Sequence, residues 1–169
     1  FQISRQRYFD ILFSVRNEAS AIRAASKFID GATEKANSML TEKAEREVEE
    51  LKSALQGTGR GLVSGGAKAI KDLEKDQKSR LNRLIKDEID GALLDYSTLF
   101  RDVLLDSRQR VNIDLNSEID NLSKRLKREE LAQLLSVISQ VRELLTTNAA
   151  QLMLVERVFL TFASLNRGN

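Results

Sequence analysis

Apolar side chains recur along this chain at alternating spacings of three and four, the period of a helix face turned toward a neighbour. They fall at Ile22, Ala25, Ile29, Ala32, Ala36 and Met39 and then, after Leu40, at Ala44, Val48, Leu51 and Leu55. The change of phase is a four-residue stutter in a coiled-coil-like seam. One helix is predicted from about Asn17 to Gln56, with Asn17 as N-cap and Glu18 in the first turn. A second pattern runs from about Ala67 to Ser107. Its stripe is Ile70, Leu73, Leu81, Leu84, Ile85, Ile89, Ala92, Tyr96, Leu99, Phe100 and Val103, with Gln77 interrupting it.

Between the two lies QGTGRGLVSGGAKA, which holds five of the eight glycines. Two rods of similar length sharing one short connection predict an antiparallel helical hairpin. Charge favours the same pairing, since residues 42–52 carry five acids and three bases while residues 68–83 carry six bases and three acids. Both stripes are thin near the glycines and rich at the far end, so residues 40–82 are expected to project as an arm turning at 57–66.

Shorter elements flank the pair. Ile3 to Val15 reads as a short aromatic helix carrying Tyr8, Phe9, Leu12 and Phe13. Arg108 to Asn116 reads as a loop with Val111, Ile113 and Leu115 alternating, and Ser117 as the cap of a helix that uses Ile119, Leu122 and Leu126. A helix from about Arg128 to Thr147 is predicted on Leu131, Leu134, Ile138, Val141 and Leu145, with Glu129 and Glu130 in its first turn. Asn148, with Gln151 at the N3 position, reads as a capping-box variant opening a last helix that carries Leu152, Val155, Phe159 and Phe162. The expectation is an all-α single domain over 1–169, a bundle of about five to six helices with the hairpin projecting from it.

Composition sharpens this picture. Proline is absent from all 169 residues, where average usage predicts about eight. Cysteine and histidine are absent too, which removes disulfides, thiolate metal sites and every His-dependent catalytic arrangement within the chain. The longest unbroken apolar run is Leu152 to Val155, far short of a membrane span. No membrane is therefore expected, and a cytoplasmic protein is the simplest reading. The net charge of +2 argues only weakly for nucleic acid. The chain opens on Phe1 rather than methionine, so these residues are expected to begin inside a longer protein.

Four stretches invite a chemical reading. The glycine cluster approaches a phosphate-binding loop, but Gly66 is followed by Ala67 before Lys68, the hydroxyl after the lysine is replaced by Ala69, and a helix rather than a strand precedes it. It reads as a mobile tip with Leu62 and Val63 as its apolar handle. Asp87 and Asp90 form a carboxylate pair with no convergent partner, so they read as a solvated face. In NIDLNS, Asn112, Asp114 and Asn116 follow the first positions of a calcium loop, but Ser117 and Ser123 stand where glycine and a bidentate glutamate are required. Lys124, Arg125, Lys127 and Arg128, with Arg108 and Arg110, can form a basic surface. Without interleaved aromatics this reads first as a solvated helix end, and second as a weak contact to DNA phosphates.

Two stretches carry a family resemblance. In residues 69–105, Leu73, Glu74, Gln77, Lys78 and Arg80 follow an L-E-x-x-Q-K-x-R pattern, and Phe100, Arg101, Asp102 and Leu104 a Y/F-R-D-x-L ending. In residues 134–162, Arg142, Leu145, Asn148, Leu152, Leu154 and Glu156 follow R-x-x-L, an Asn-started turn and an L-x-L…E helix, although many relatives place a proline in that turn. Together they resemble the C-terminal collar region of the delta-prime subunit family of bacterial DNA polymerase III. The resemblance implies a non-catalytic oligomerisation domain of a replication clamp loader, with AAA+-like and lid domains upstream and the arginine finger and zinc-binding cysteines in the first of these. It implies a bacterial cytoplasmic setting, no cofactor and no small-molecule substrate in this chain, and partners among the gamma/tau and delta subunits, met through the collar. Bundle or interface candidates are Leu131, Leu134, Ile138, Val141, Arg142, Asn148, Leu152, Glu156 and Phe159, with Val155 also in the bundle core. A gamma/tau collar and a free-standing helical adaptor are the alternatives.

Overall fold

A computed structural model describes residues 2–56, 64–105 and 107–166. These form six α-helices, with no strand among the described residues: α1 (Gln2–Phe13), α2 (Glu18–Gln56), α3 (Ser64–Leu104), α4 (Asn116–Arg125), α5 (Arg128–Leu144) and α6 (Gln151–Leu165). Two single 3-10 turns, Ser107–Gln109 and Ile113–Leu115, lie between α3 and α4. The all-α class read from the sequence is therefore the class observed.

Caps explain several of the helix ends. At the start of α2, Asn17 Oδ1 accepts the Ser20 backbone N–H at 3.0 Å, and Ser20 Oγ accepts the Asn17 N–H at 2.9 Å. That reciprocal pair satisfies two otherwise unpaired donors, as in a capping box. The start of α5 is closed by Glu130, whose carboxylate accepts the Lys127 backbone N–H at 2.7 Å. Two predicted caps differ. Ser117 lies inside α4, which follows the 3-10 turn directly, and its hydroxyl faces the Glu118 carboxylate at 2.6 Å. Asn148 is exposed within the turn after α5, and α6 begins only at Gln151, after Ala150 in extended backbone. The turn's donors are met locally instead, Thr146 and Thr147 folding back on Glu143 and Leu144.

The chain divides into two compact units. One comprises Phe1–Gly31 and Ile89–Asn169, the other Ala32–Glu88. The first is built on aromatic rings from four helices. Phe28 of α2 lies 4.7 Å from Tyr8 of α1 and 5.9 Å from Tyr96 of α3. Phe159 of α6 meets Phe28 and Tyr96 edge-on at 5.8 and 6.0 Å. Phe100 and Phe162 form a further pair at 5.7 Å. Tyr96 is fully buried and resolves its polar tip by donating to the Tyr8 carbonyl at 2.6 Å. Burial pushes its pKa well above the ordinary value, so it stays a neutral donor.

The buried stripe of α2 in this unit is Ala21, Ala24, Ala25 and Phe28, one position away from the predicted stripe at its start. Ile22 is exposed, and Ile29 is half-buried. The reason is volume. Rings crowd the inner face around Phe28, so the neighbouring turns are packed with alanine, and the larger Ile22 turns outward. On α3 the prediction was closer: Ile89, Ala92, Tyr96, Leu99, Phe100 and Val103 are all buried, joined by Leu93.

In the second unit, the two helix segments are held together by polar contacts. Lys35 meets Glu88 at 2.6 Å, and further along Arg80 clasps Glu47 through both terminal nitrogens, at 3.0 and 2.7 Å. Gln77, which breaks the apolar stripe, donates to the Ala44 carbonyl at 3.1 Å and to Glu47 at 3.3 Å. Ala32, Ala36 and Ile85 are buried, Leu40, Leu73, Leu81 and Leu84 half-buried, and Met39 exposed, against expectation. Most of the predicted glycine turn, residues 57–63, lies outside the described residues, as do the handle residues Leu62 and Val63. Gly65 and Gly66 belong to α3, which begins three residues earlier than its apolar pattern indicated.

Candidate functional site

The most constrained polar site in the first unit is built on Asp102, in the last turn of α3. Its side chain is fully buried. Oδ2 accepts the backbone N–H of Val111 at 2.9 Å, and the backbone N–H and side-chain amide of Asn112, each at 2.7 Å. Oδ1 has no hydrogen-bond partner among the described residues, though the Arg101 guanidinium approaches it at 3.5 Å. Burial raises the Asp102 pKa, but the Asn112 and Val111 donors and Arg101 outweigh it, and the group lies below its ordinary value. Arg5 of α1 completes the clasp. It donates to Asn112 Oδ1 and to Asp114 at 2.6 Å, and its guanidinium covers the Phe9 ring at 4.8 Å. Asn112 and Asp114, read against a calcium loop, are thus occupied by an arginine and a buried carboxylate. The site fixes the chain between α3 and α4. Leu115 is drawn inside while Val111 and Ile113 stay exposed.

Of the other carboxylate pair singled out by pattern, one member is held. Asp90 receives two hydrogen bonds from Arg142 of α5, at 2.7 and 3.0 Å, and Asp87 is exposed. The bond to Asp90 raises the Arg142 pKa further. Glu47 lies well below the carboxylate range, at about 2, chiefly because Arg80 and then Gln77 donate to it. A carboxylate bound this way stays ionised at neutral pH and is a poor proton donor. A groove of about 310 Å³ beside it, walled by Leu40, Ala44 and Leu81, therefore presents a neutralised ion pair rather than a reactive group. Among the described residues, no group of three or more acids is placed to hold a metal.

The predicted bundle residues mostly hold their places. Leu131, Leu134, Ile138, Val141, Val155 and Phe159 are buried. Leu152 is not: it is 39% exposed, and Leu154 and Val158 fill the inner face of α6 in its stead. The reason follows from the cap. With α6 beginning at Gln151, Leu152 sits in the first turn, beside Met153, which is 69% exposed. Leu144, in the last turn of α5, is 38% exposed. The α5–α6 corner therefore carries three large apolar side chains at the surface. Glu156 is half-buried, with no hydrogen bond or ion pair to a described residue.

Arg142 is half-exposed in its pair, so its contribution is modest. A double-mutant cycle of Arg142→Ala and Asp90→Ala is expected to give a coupling of about 0.5–1 kcal/mol in urea unfolding. A coupling near zero would mean that the pair does not hold α5 to α3.

Lys124, Arg125, Lys127 and Arg128 are all exposed at the junction of α4 and α5. Arg110 does not join them as expected. It is drawn to Asp120 at 2.7 Å, and its side chain is only 9% exposed.

No family model matches the chain, and no curated protein or solved structure matches it either.

Proposed function

We propose that this chain is a subunit-assembly domain of a bacterial replication clamp loader, the collar of a delta-prime-type subunit. The observation that carries the proposal is the α5–α6 corner. It lies in one of the two stretches that resemble the collar family, and it leaves Leu144, Leu152 and Met153 uncovered. Apolar side chains grouped at a surface above a well-packed core are the material of subunit interfaces. Of the residues carrying that resemblance, Leu145 and Leu154 are buried, while Asn148 and Leu152 are exposed, free to meet a neighbour. The other stretch gives support of a different kind. Its Gln77 and Arg80 clasp α2, and its Asp102 anchors the chain after α3, so these pattern residues hold the fold around them.

The test is co-elution with collar fragments of the gamma/tau and delta subunits at micromolar concentration. A complex is expected. Leu152→Asp with Met153→Asp should weaken it by more than about tenfold, the scale of interface anchors. Both positions lie in the first turn of α6, where acids suit the helix dipole, so the melting temperature should hardly move. The absence of any complex with either partner overturns the proposal.

A further inference from the structure

We infer that the corner between α4 and α5 is a docking site for the phosphodiester backbone of duplex nucleic acid, held by Lys124, Arg125, Lys127 and Arg128. The site itself is argued from charge and geometry. The choice of nucleic acid as the polyanion rests on the replication reading above.

The corner is a fixed bend. Leu126 is buried in extended backbone (φ −102°, ψ 130°), and its N–H closes on the Leu122 carbonyl at 2.9 Å. Two cations precede this anchor and two follow it, and all four are exposed. Nearby acids form no direct ion pair with them. Asp120 stands four residues before Lys124, the spacing at which a helical ion pair ordinarily forms. Here Arg110 occupies Asp120 instead, at 2.7 Å. Glu130 is turned back to accept the Lys127 N–H, and Glu118 receives the Ser117 hydroxyl. Arg125 makes one long bond, at 3.4 Å, to the Asn121 carbonyl. None of the four cations forms an ion pair with a described residue, and Glu129 is the only acid of residues 124–130 left without a partner.

The arrangement also costs stability. Lys127 is the N-cap of α5 and Arg128 its first residue, at the positive end of the helix. Cations there are unfavourable by about 0.3–1 kcal/mol each. Glu129 and Glu130 in the same turn offset only part of that cost, because neither forms an ion pair with Lys127 or Arg128. An arriving phosphate would offset the charge. No aromatic side chain occurs between Arg108 and Glu130, so nothing offers a stacking platform for unpaired bases. The contact is therefore to backbone charge, without sequence preference.

Fluorescence anisotropy of a labelled 20-base-pair duplex, titrated with the 169-residue chain, tests this. Four phosphate contacts predict a slope of log affinity against log salt near −3.6, so affinity should fall roughly a hundredfold from 50 to 200 mM salt. Changing all four residues to Gln should abolish most of the binding at low salt while far-UV circular dichroism and loader co-elution stay unchanged. Undetectable binding at 50 mM salt, equal binding by the variant, or tighter binding of the matching single strand or of poly-glutamate would each overturn the inference. Because co-elution is measured on the same samples, a wild-type chain that assembles but does not bind the duplex refutes this site alone, whereas a wild-type chain that does not assemble refutes the collar reading.

Discussion

Asp102→Leu should destabilise the first unit by about 3–5 kcal/mol, read by urea unfolding. The carboxylate receives three N–H groups on one oxygen within a fully buried setting. Leucine would leave those donors without an acceptor, and the chain between α3 and α4 without an anchor. Asp102→Asn keeps an acceptor oxygen but loses the charge, so it should cost less, about 1–3 kcal/mol. The pH dependence distinguishes charge from shape. The folded pKa lies below the ordinary value of 3.8, so the unfolded chain binds the proton more readily. The stabilisation is therefore complete above the unfolded value and disappears as pH falls through the lower folded one. The wild-type chain should lose stability as pH drops below about 4, and Asp102→Asn should lose less over the same interval. An unchanged acid limb in the variant would show that another carboxylate carries it.

How much of this was legible in the sequence depends on distance along the chain. The long helices and the cap at Asn17 follow from patterns a few residues wide, where a side chain competes only with its own backbone. The α2 stripe was misread at its start because Ile22 outweighs Ala21 on any hydrophobic count, whereas the inner face of a helix packed on rings selects for small volume. A one-residue error turns a helix face by about 100°. The Asn148 cap failed because Thr146 and Thr147 satisfy the turn locally and α6 starts later. The polar clasps had no local signature. Arg5 reaches Asn112 across 107 residues, and Arg80 reaches Glu47 across 33. For Asp102, the resemblance singled out the residue but nothing in the pattern indicated its task. One sign was present: Val111, Ile113 and Leu115 alternate like a strand, yet only Leu115 is inside. That alternation belongs to a chain held by an external anchor.

Phe159→Ala should also be severe, at about 3–5 kcal/mol. The ring is fully buried and contacts Phe28 and Tyr96 edge-on at 5.8 and 6.0 Å, joining α6 to α2 and α3. Such pairs add about 0.5–1.5 kcal/mol beyond burial. The cavity cannot close easily, because Tyr96 is tethered by its hydroxyl to the Tyr8 carbonyl and the buried apolar neighbours of Phe28 on α2 are the small Ala21, Ala24, Ala25 and Ala32. Phe159→Leu should restore most of the loss by refilling the volume. Against a total stability of about 5–15 kcal/mol, the alanine variant stands near the folding threshold. This change and the α5–α6 corner variant should therefore fail differently. If the chain assembles as proposed, Leu152→Asp with Met153→Asp should remove assembly from a folded chain, whereas Phe159→Ala should remove both together. A Phe159→Ala chain that unfolds with less than about 1 kcal/mol of loss would mean that the rings around Phe28 repack without it, and that α6 is held chiefly by its contacts with α5.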